Sequence, residues 1–243
     1  DENALYMTAD YWGVVRERLA PELGRNVKIL PLCRSAGDLS PHHIVDRVPM
    51  EMAEGCYHGR KCSLFMGELV ADAILHHQKK ILIRYEGRVR HAQGMRKIDF
   101  PVWQVTEAEY KWALEYLANR DNYTETGWPR SLFDNANAHT RKQRYESGDK
   151  LYPSRIYAAV LGDIVFLSNP FELYIEYADR IRMALKENVV FDTELSYDCL
   201  GYLATPAAVQ GGHYSANIFN GVCAPDGGEL LVQESVDLAK SLL

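Results

Sequence analysis

The chain has 243 residues with a formal net charge of −6, and it is 47% hydrophobic and 25% charged. That length can bury a full core without a disulfide or metal staple, and 17 Gly and 10 Pro are ordinary counts, which excludes collagen-like, low-complexity and wholly disordered classes. The acidic balance argues against a broad basic surface, so no nucleic-acid partner is expected.

In chain order, residues 8–20 are expected to form a helix that Pro21 and Gly24 terminate. Residues 26–32 are short, apolar and strand-like, and they run into a loop over 33–43. The spacing of Leu64, Leu69, Ala73 and Leu75 predicts a helix over 63–80, with His76-His77 at an end where imidazolium suits the macrodipole. Segments around 82–86 and 89–104 read as strands, and Thr106 and Glu109 open a helix carrying Trp112, Leu114 and Leu117. Within the polar stretch 120–150, Arg141-Lys142-Gln143-Arg144 reads as a solvated helix face. A strand, a Gly162-Asp163 turn and a second strand come next, then a helix over about 170–186. This turn breaks the apolar run 156–169 into a hairpin, and no run approaches the roughly 18 residues of a membrane span. A strand-like stretch over 193–205, a Gly-rich loop and a last helix near Gly228-Glu229 complete the chain. Strands and helices mix without strict alternation, so the expected class is α/β in the broad sense: a mixed α+β layered sandwich, sheets flanked by helices, in one domain over 1–243.

The five cysteines (Cys33, Cys56, Cys62, Cys199, Cys223) lack CxxC spacing; Cys56 and Cys62 are the pair placed to close a short loop. Asn122-Tyr123-Thr124 is a formal glycosylation sequon. HExxH, GxSxG, GxGxxG and GxxxxGK[ST] are all absent. His42-His43 and His76-His77 are adjacent residues on different faces, so neither pair chelates one ion.

Three local patterns carry chemistry, each beside a plain structural reading. Gly37-Asp38-Leu39-Ser40-Pro41 comes after the apolar 26–32 segment; it is either turn chemistry or a loop presenting a hydroxyl. Asn169-Pro170-Phe171-Glu172 reads either as a capping box, with Asn169 as N-cap, Pro170 at N1 and Glu172 at N3, or as a strand end aiming Glu172 at a cation. Gly201-Tyr202, with Gly211-Gly212-His213-Tyr214 after it, suggests either close backbone approach at a site or simple turns.

Taken in order, these patterns resemble the neutral, non-lysosomal ceramidase family. Its Gly-Asp-x-Ser-Pro loop is matched at Gly37, Asp38, Ser40 and Pro41, and its Pro-x-Glu element at Pro170 and Glu172. Its Tyr-x-x-Thr segment, with a second Tyr twelve positions on, is matched at Tyr202, Thr205 and Tyr214. Gly227-Gly228-Glu229 before the last helix resembles members without a C-terminal immunoglobulin-like domain. The resemblance implies a Zn2+ amidase that cleaves the N-acyl bond of ceramide-like lipids, secreted or periplasmic. By position it implies Glu172 and Tyr202 as metal ligands, Ser40 as the serine of the catalytic loop, and Tyr214 as donor to the scissile carbonyl or its oxyanion. Two departures stand out: Ser35 and His42 occupy positions where the family loop usually carries Asn. The family's two zinc-binding His lie upstream of the serine loop, and too few residues precede Ser40 here to hold that part. The chain, which begins Asp1-Glu2-Asn3, is therefore expected to be the C-terminal portion of a catalytic domain, partnered by the upstream half. A hydrolase of another N-acyl or ester substrate, or a non-catalytic binding module on the same fold, are the alternatives.

Overall fold

A computed structural model of the chain describes residues 7–24, 26–40, 60–81, 88–119, 130–212 and 214–243. The chain divides into two compact units, one of residues 1–32 and 40–88, the other of 33–39 and 89–243.

The first unit is helical. Helix α1 (Asp10–Leu23) runs through Pro21 and stops at Gly24, and α2 is Arg60–Ile81. They pack around buried Val15, Leu19 and Ala71, with Trp12, Val70 and Ile74 alongside. Between them, Arg18 reaches Glu68 at 3.2 Å and Asp72 at 3.5 Å. His76 and His77 stand near the end of α2, as expected. Residues 26–32 are not a strand. Their apolar side chains divide instead: Ile29 packs on the helical cluster while Leu30 stays exposed, and no ladder forms. A strand needs a neighbour, and alternation alone does not supply one. The expected strand at 82–86, the Asn122 sequon and Cys56 lie outside the described residues; Cys33, Cys62, Cys199 and Cys223 carry free thiols.

In the second unit, strand β1 (His91–Pro101) pairs antiparallel with β2 (Leu151–Leu161) from His91↔Leu161 to Pro101↔Leu151. The Gly162-Asp163 turn folds β2 onto β3 (Ile164–Ser168), and β3 runs parallel to β5 (Val189–Thr193), giving the sheet order β1-β2-β3-β5. A second, two-stranded sheet joins β4 (Glu172–Leu173) to β6 (Tyr202–Leu203) in parallel. Helix α3 is Glu107–Asn119, α4 Arg130–Ser147, α5 Ile175–Ala184, α6 Pro206–Gly211 and α7 Asp226–Leu242. Inward-facing Ile98, Phe100, Ile156, Ala158, Val160 and Val165 meet Leu231, Leu238 and Ala239 of α7 and Tyr177 and Ile181 of α5 in one core. Period-2 strands laid on period-3.6 helices make this a mixed α/β fold with helices flanking the sheet. No helix among the described residues is long and apolar enough to cross a membrane.

The Arg141–Arg144 run is only partly a solvated face. Lys142 pairs with Glu146 at 2.6 Å on the surface, but Arg144 is half-buried and donates to the Val222 and Gly221 carbonyls at 3.1 and 3.2 Å.

Candidate functional site

The groups singled out in the second unit gather beyond the C-terminal ends of the parallel strands β3 and β5, the place where open α/β sheets commonly mount functional side chains. Past β3, the Asn169 side-chain oxygen accepts the Phe171 N–H at 3.0 Å, while the Asn169 backbone N–H donates to the Thr193 carbonyl at 2.9 Å. This local turn captures the residues that a capping box would have used. The chain then extends as β4, Glu172 N–H donates to Gly201 O at 3.0 Å, and helix α5 starts only at Ile175. Both the capping box at 169–172 and a helix beginning near 170 are thereby corrected.

Extension puts Glu172 in register with Tyr202, so the two side chains share a face of the small sheet. The Glu172 carboxylate lies beside the Tyr202 phenol. Burial, and then this carboxylate, push the phenol above its ordinary value, so Tyr202 stays protonated at neutral pH. Gly201, just before it, has φ of 70° and lies so close to the Asn220 carbonyl that a Cβ would overlap it. The close backbone approach suggested for this glycine is real, and it forms a bridge with Gly221. Gly212 instead closes α6 in a left-handed turn with open space around it.

Tyr214 opens a short 3-10 turn, Tyr214–Ala216, and its ring stands edge-on to Tyr202 with centroids 6.1 Å apart. Phe133 of α4 contacts Tyr214 at 5.7 Å and stacks on Phe219 at 5.7 Å, which extends the aromatic wall. Tyr214 remains 51% exposed. His213 lies outside the described residues.

The loop Cys33–Leu39 runs along the other side of β4. Gly37 N–H donates to Leu173 O at 2.9 Å, and a Cβ on Gly37 would overlap the Glu172 carbonyl oxygen. Asp38 Oδ1 accepts the Ile175 N–H at 2.8 Å, capping a helix whose own N-cap residue, Tyr174, offers no side-chain bond. Ser40 is exposed and groups with the helical unit, one residue past the boundary, while Pro41 lies outside the described residues.

Sequence reasoning missed Glu194. This carboxylate comes just after β5, is only 7% exposed, and accepts the Ala36 and Leu173 N–H groups through Oε2, each at 3.1 Å, and the Cys33 thiol through Oε1 at 3.2 Å. Burial raises its pKa, while burial and the Glu194 carboxylate together push the Cys33 thiol up to about 11. The one signal available in sequence is an acidic residue directly after an apolar strand, and the long 193–205 stretch expected as strand concealed it. That stretch is a loop apart from Thr193 at its start, the Gly201 bridge and the Tyr202–Leu203 pair, with Leu195 and Tyr197 both at positive φ.

A carboxylate beside a phenol is a suitable pair of hard oxygen donors for a divalent cation. It is also only two donors. Among the described residues no three His, Cys, Asp or Glu side chains gather to hold a metal, and a closed zinc site takes four.

No protein-family model matches the chain, and no curated protein matches it in sequence. Solved structures do match. Neutral ceramidase from Pseudomonas aeruginosa aligns with a TM-score of 0.63 and 14% identity, over 98% of this chain and 41% of that one. A ceramidase complexed with C2 aligns with a TM-score of 0.59 and 12% identity, over 98% of this chain and 43% of that one. The chain thus spans less than half the length of either structure. Over nearly all of its own length, it has the fold of these ceramidases.

Proposed function

We propose that this chain carries part of a zinc amidohydrolase centre that cleaves the N-acyl amide bond of ceramide-like lipids, releasing sphingoid base and fatty acid. The observation that carries the reading is the register pairing of Glu172 with Tyr202 on one face of the small sheet, flanked by Tyr214, on a ceramidase fold. Glu172 and Tyr202 would hold the metal from this chain, and two imidazoles from an upstream segment of the same protein would complete it. Bound zinc supplies Lewis acidity toward the carbonyl and a nucleophilic water near neutral pH. As a ligand Tyr202 would serve as the phenolate, its proton released to solvent. Tyr214, half exposed, donates its hydroxyl to the amide carbonyl oxygen as negative charge develops there. The Gly37–Pro41 motif assigns the Ser40 hydroxyl to the same chemistry. Such an enzyme works outside the cytosol, secreted or periplasmic.

The test compares the 243-residue chain with the protein carrying its upstream segment. The shorter chain is expected to take up zinc weakly and to leave ceramide intact, because two ligands do not close a zinc site. In the longer protein, Glu172→Gln and Tyr202→Phe should each lower hydrolysis by on the order of a hundredfold or more. Stoichiometric zinc and ceramide turnover by the 243-residue chain alone would sink the proposal. So would full activity in the Glu172→Gln protein; activity only on other N-acyl or ester lipids would move the substrate assignment.

A further inference from the structure

Glu194 has no part in the chemistry just described, yet it is where three pieces of the site meet. Its Oε2 accepts from Ala36 in the Gly37–Asp38 loop and from Leu173, the residue next to Glu172. Its Oε1 accepts the Cys33 thiol at the start of the same loop. Cys33 closes the arrangement with its carbonyl, which takes the Glu194 N–H at 3.0 Å. A buried carboxylate receiving two backbone N–H bonds and a thiol has most of its acceptor sites used. The two segments it joins lie far apart in sequence and share few other bonds; Gly37 N–H to Leu173 O and Ile175 N–H to Asp38 are among them.

We infer that Glu194 is a positioning residue: its carboxylate clamps the Cys33–Asp38 loop onto the β4 strand, and so fixes where Glu172 and that loop stand relative to each other. The inference rests on the hydrolytic reading of the site for its consequence in catalysis, though not for the clamp itself. Misplacing a reacting group by about 1 Å can cost on the order of a hundredfold in rate, so one carboxylate outside the reaction can control it.

Amide hydrogen exchange on the 243-residue chain tests the clamp directly. Glu194→Ala should speed exchange at Ala36, Gly37 and Leu173 by about tenfold or more, with Val160 in the core strand β2 unchanged as the fold control. Glu194→Asp, whose carboxylate is drawn back by one methylene, should give the same pattern if the alanine variant does not fold. Glu194→Gln keeps a carbonyl for both N–H groups and should stay near wild type. Unchanged exchange at those three amides, in whichever of the two lesions folds, overturns the inference. In the protein carrying its upstream segment, the lesion should lower kcat about tenfold or more with KM held within about twofold, and Gln should restore most of it. If the amides loosen and kcat holds while Glu172→Gln abolishes turnover, the positioning role is wrong and the hydrolase reading survives. If the amides loosen but Glu172→Gln leaves turnover intact, the clamp stands and the hydrolase reading falls.

Discussion

Ser35 and Gly37 sit two residues apart in one loop and answer to opposite demands. Gly37 is a glycine because the loop backbone lies against the Glu172 carbonyl with no room for a Cβ. Gly37→Ala should therefore part the loop from β4 and cost about 1–3 kcal/mol, read as a lower midpoint in denaturant. Ser35 is buried and its N–H donates to Asp192 at 3.1 Å, but its Oγ finds no hydrogen-bond partner among the described residues. A buried hydroxyl without a partner is a desolvation cost, so Ser35→Ala should leave stability unchanged or raise it by up to about 1 kcal/mol. Loss of more than that by calorimetry would show the hydroxyl to be engaged. The same physical question decided Glu172. Its spacing from Asn169 satisfies a capping box, yet Asn169 spends its side-chain oxygen on Phe171 and leaves Glu172 to the small sheet.

At the scale of elements, the capping box that does form is at Thr106. The Thr106 N–H and hydroxyl both donate to Glu109 Oε2 at 2.8 Å, and the Glu109 N–H returns a bond to the Thr106 hydroxyl at 3.3 Å. Burial pushes the Glu109 carboxyl upward, but the Thr106 bonds and the Arg141 charge outweigh it and hold the group below its usual range. A carboxyl lowered on folding contributes stability above its unfolded pKa, and that contribution disappears as pH falls through the folded value. Wild type should thus exceed Glu109→Gln in stability near neutral pH, with the gap closing at pH values below the ordinary carboxylate range. Denaturation of both proteins across a pH series checks this, and a gap that persists in acid contradicts it. Thr106 and Asn169 look alike in sequence but differ in what their downstream neighbours meet. Residues after Thr106 pack on α4 through Ala113, Tyr116 and Ala138, whereas those after Asn169 meet a parallel strand end and a second chain segment at once.

Across the whole second unit, helix–helix contact sets the glycine pattern at the start of α7. A Cβ on Gly228 would fall inside the Tyr177 ring of α5, whose hydroxyl donates to the Ala204 and Pro225 carbonyls at 3.3 and 3.2 Å. A Cβ on Gly227 meets only ordinary contacts, the nearest being Cys223 Cβ at 3.4 Å. Gly228→Ala should cost about 1–3 kcal/mol, and Gly227→Ala should lie between a loss and a gain of about 1 kcal/mol. Equal effects in thermal melts would mean that the α5–α7 approach does not depend on this position. The sequence by itself determined the mixed α/β class, the β2–β3 hairpin at Gly162-Asp163 and helices α2, α3 and α7, because hydrophobic period and turn residues act over a few positions. It also singled out Glu172 and Tyr202, thirty positions apart in the chain. Their juxtaposition, the failure of 26–32 to become a strand and the clamp at Glu194 were decided by tertiary structure alone. Each depends on which segment arrives to complete a ladder or take a hydrogen bond, and that partner lies too far along the chain for any local pattern to record it.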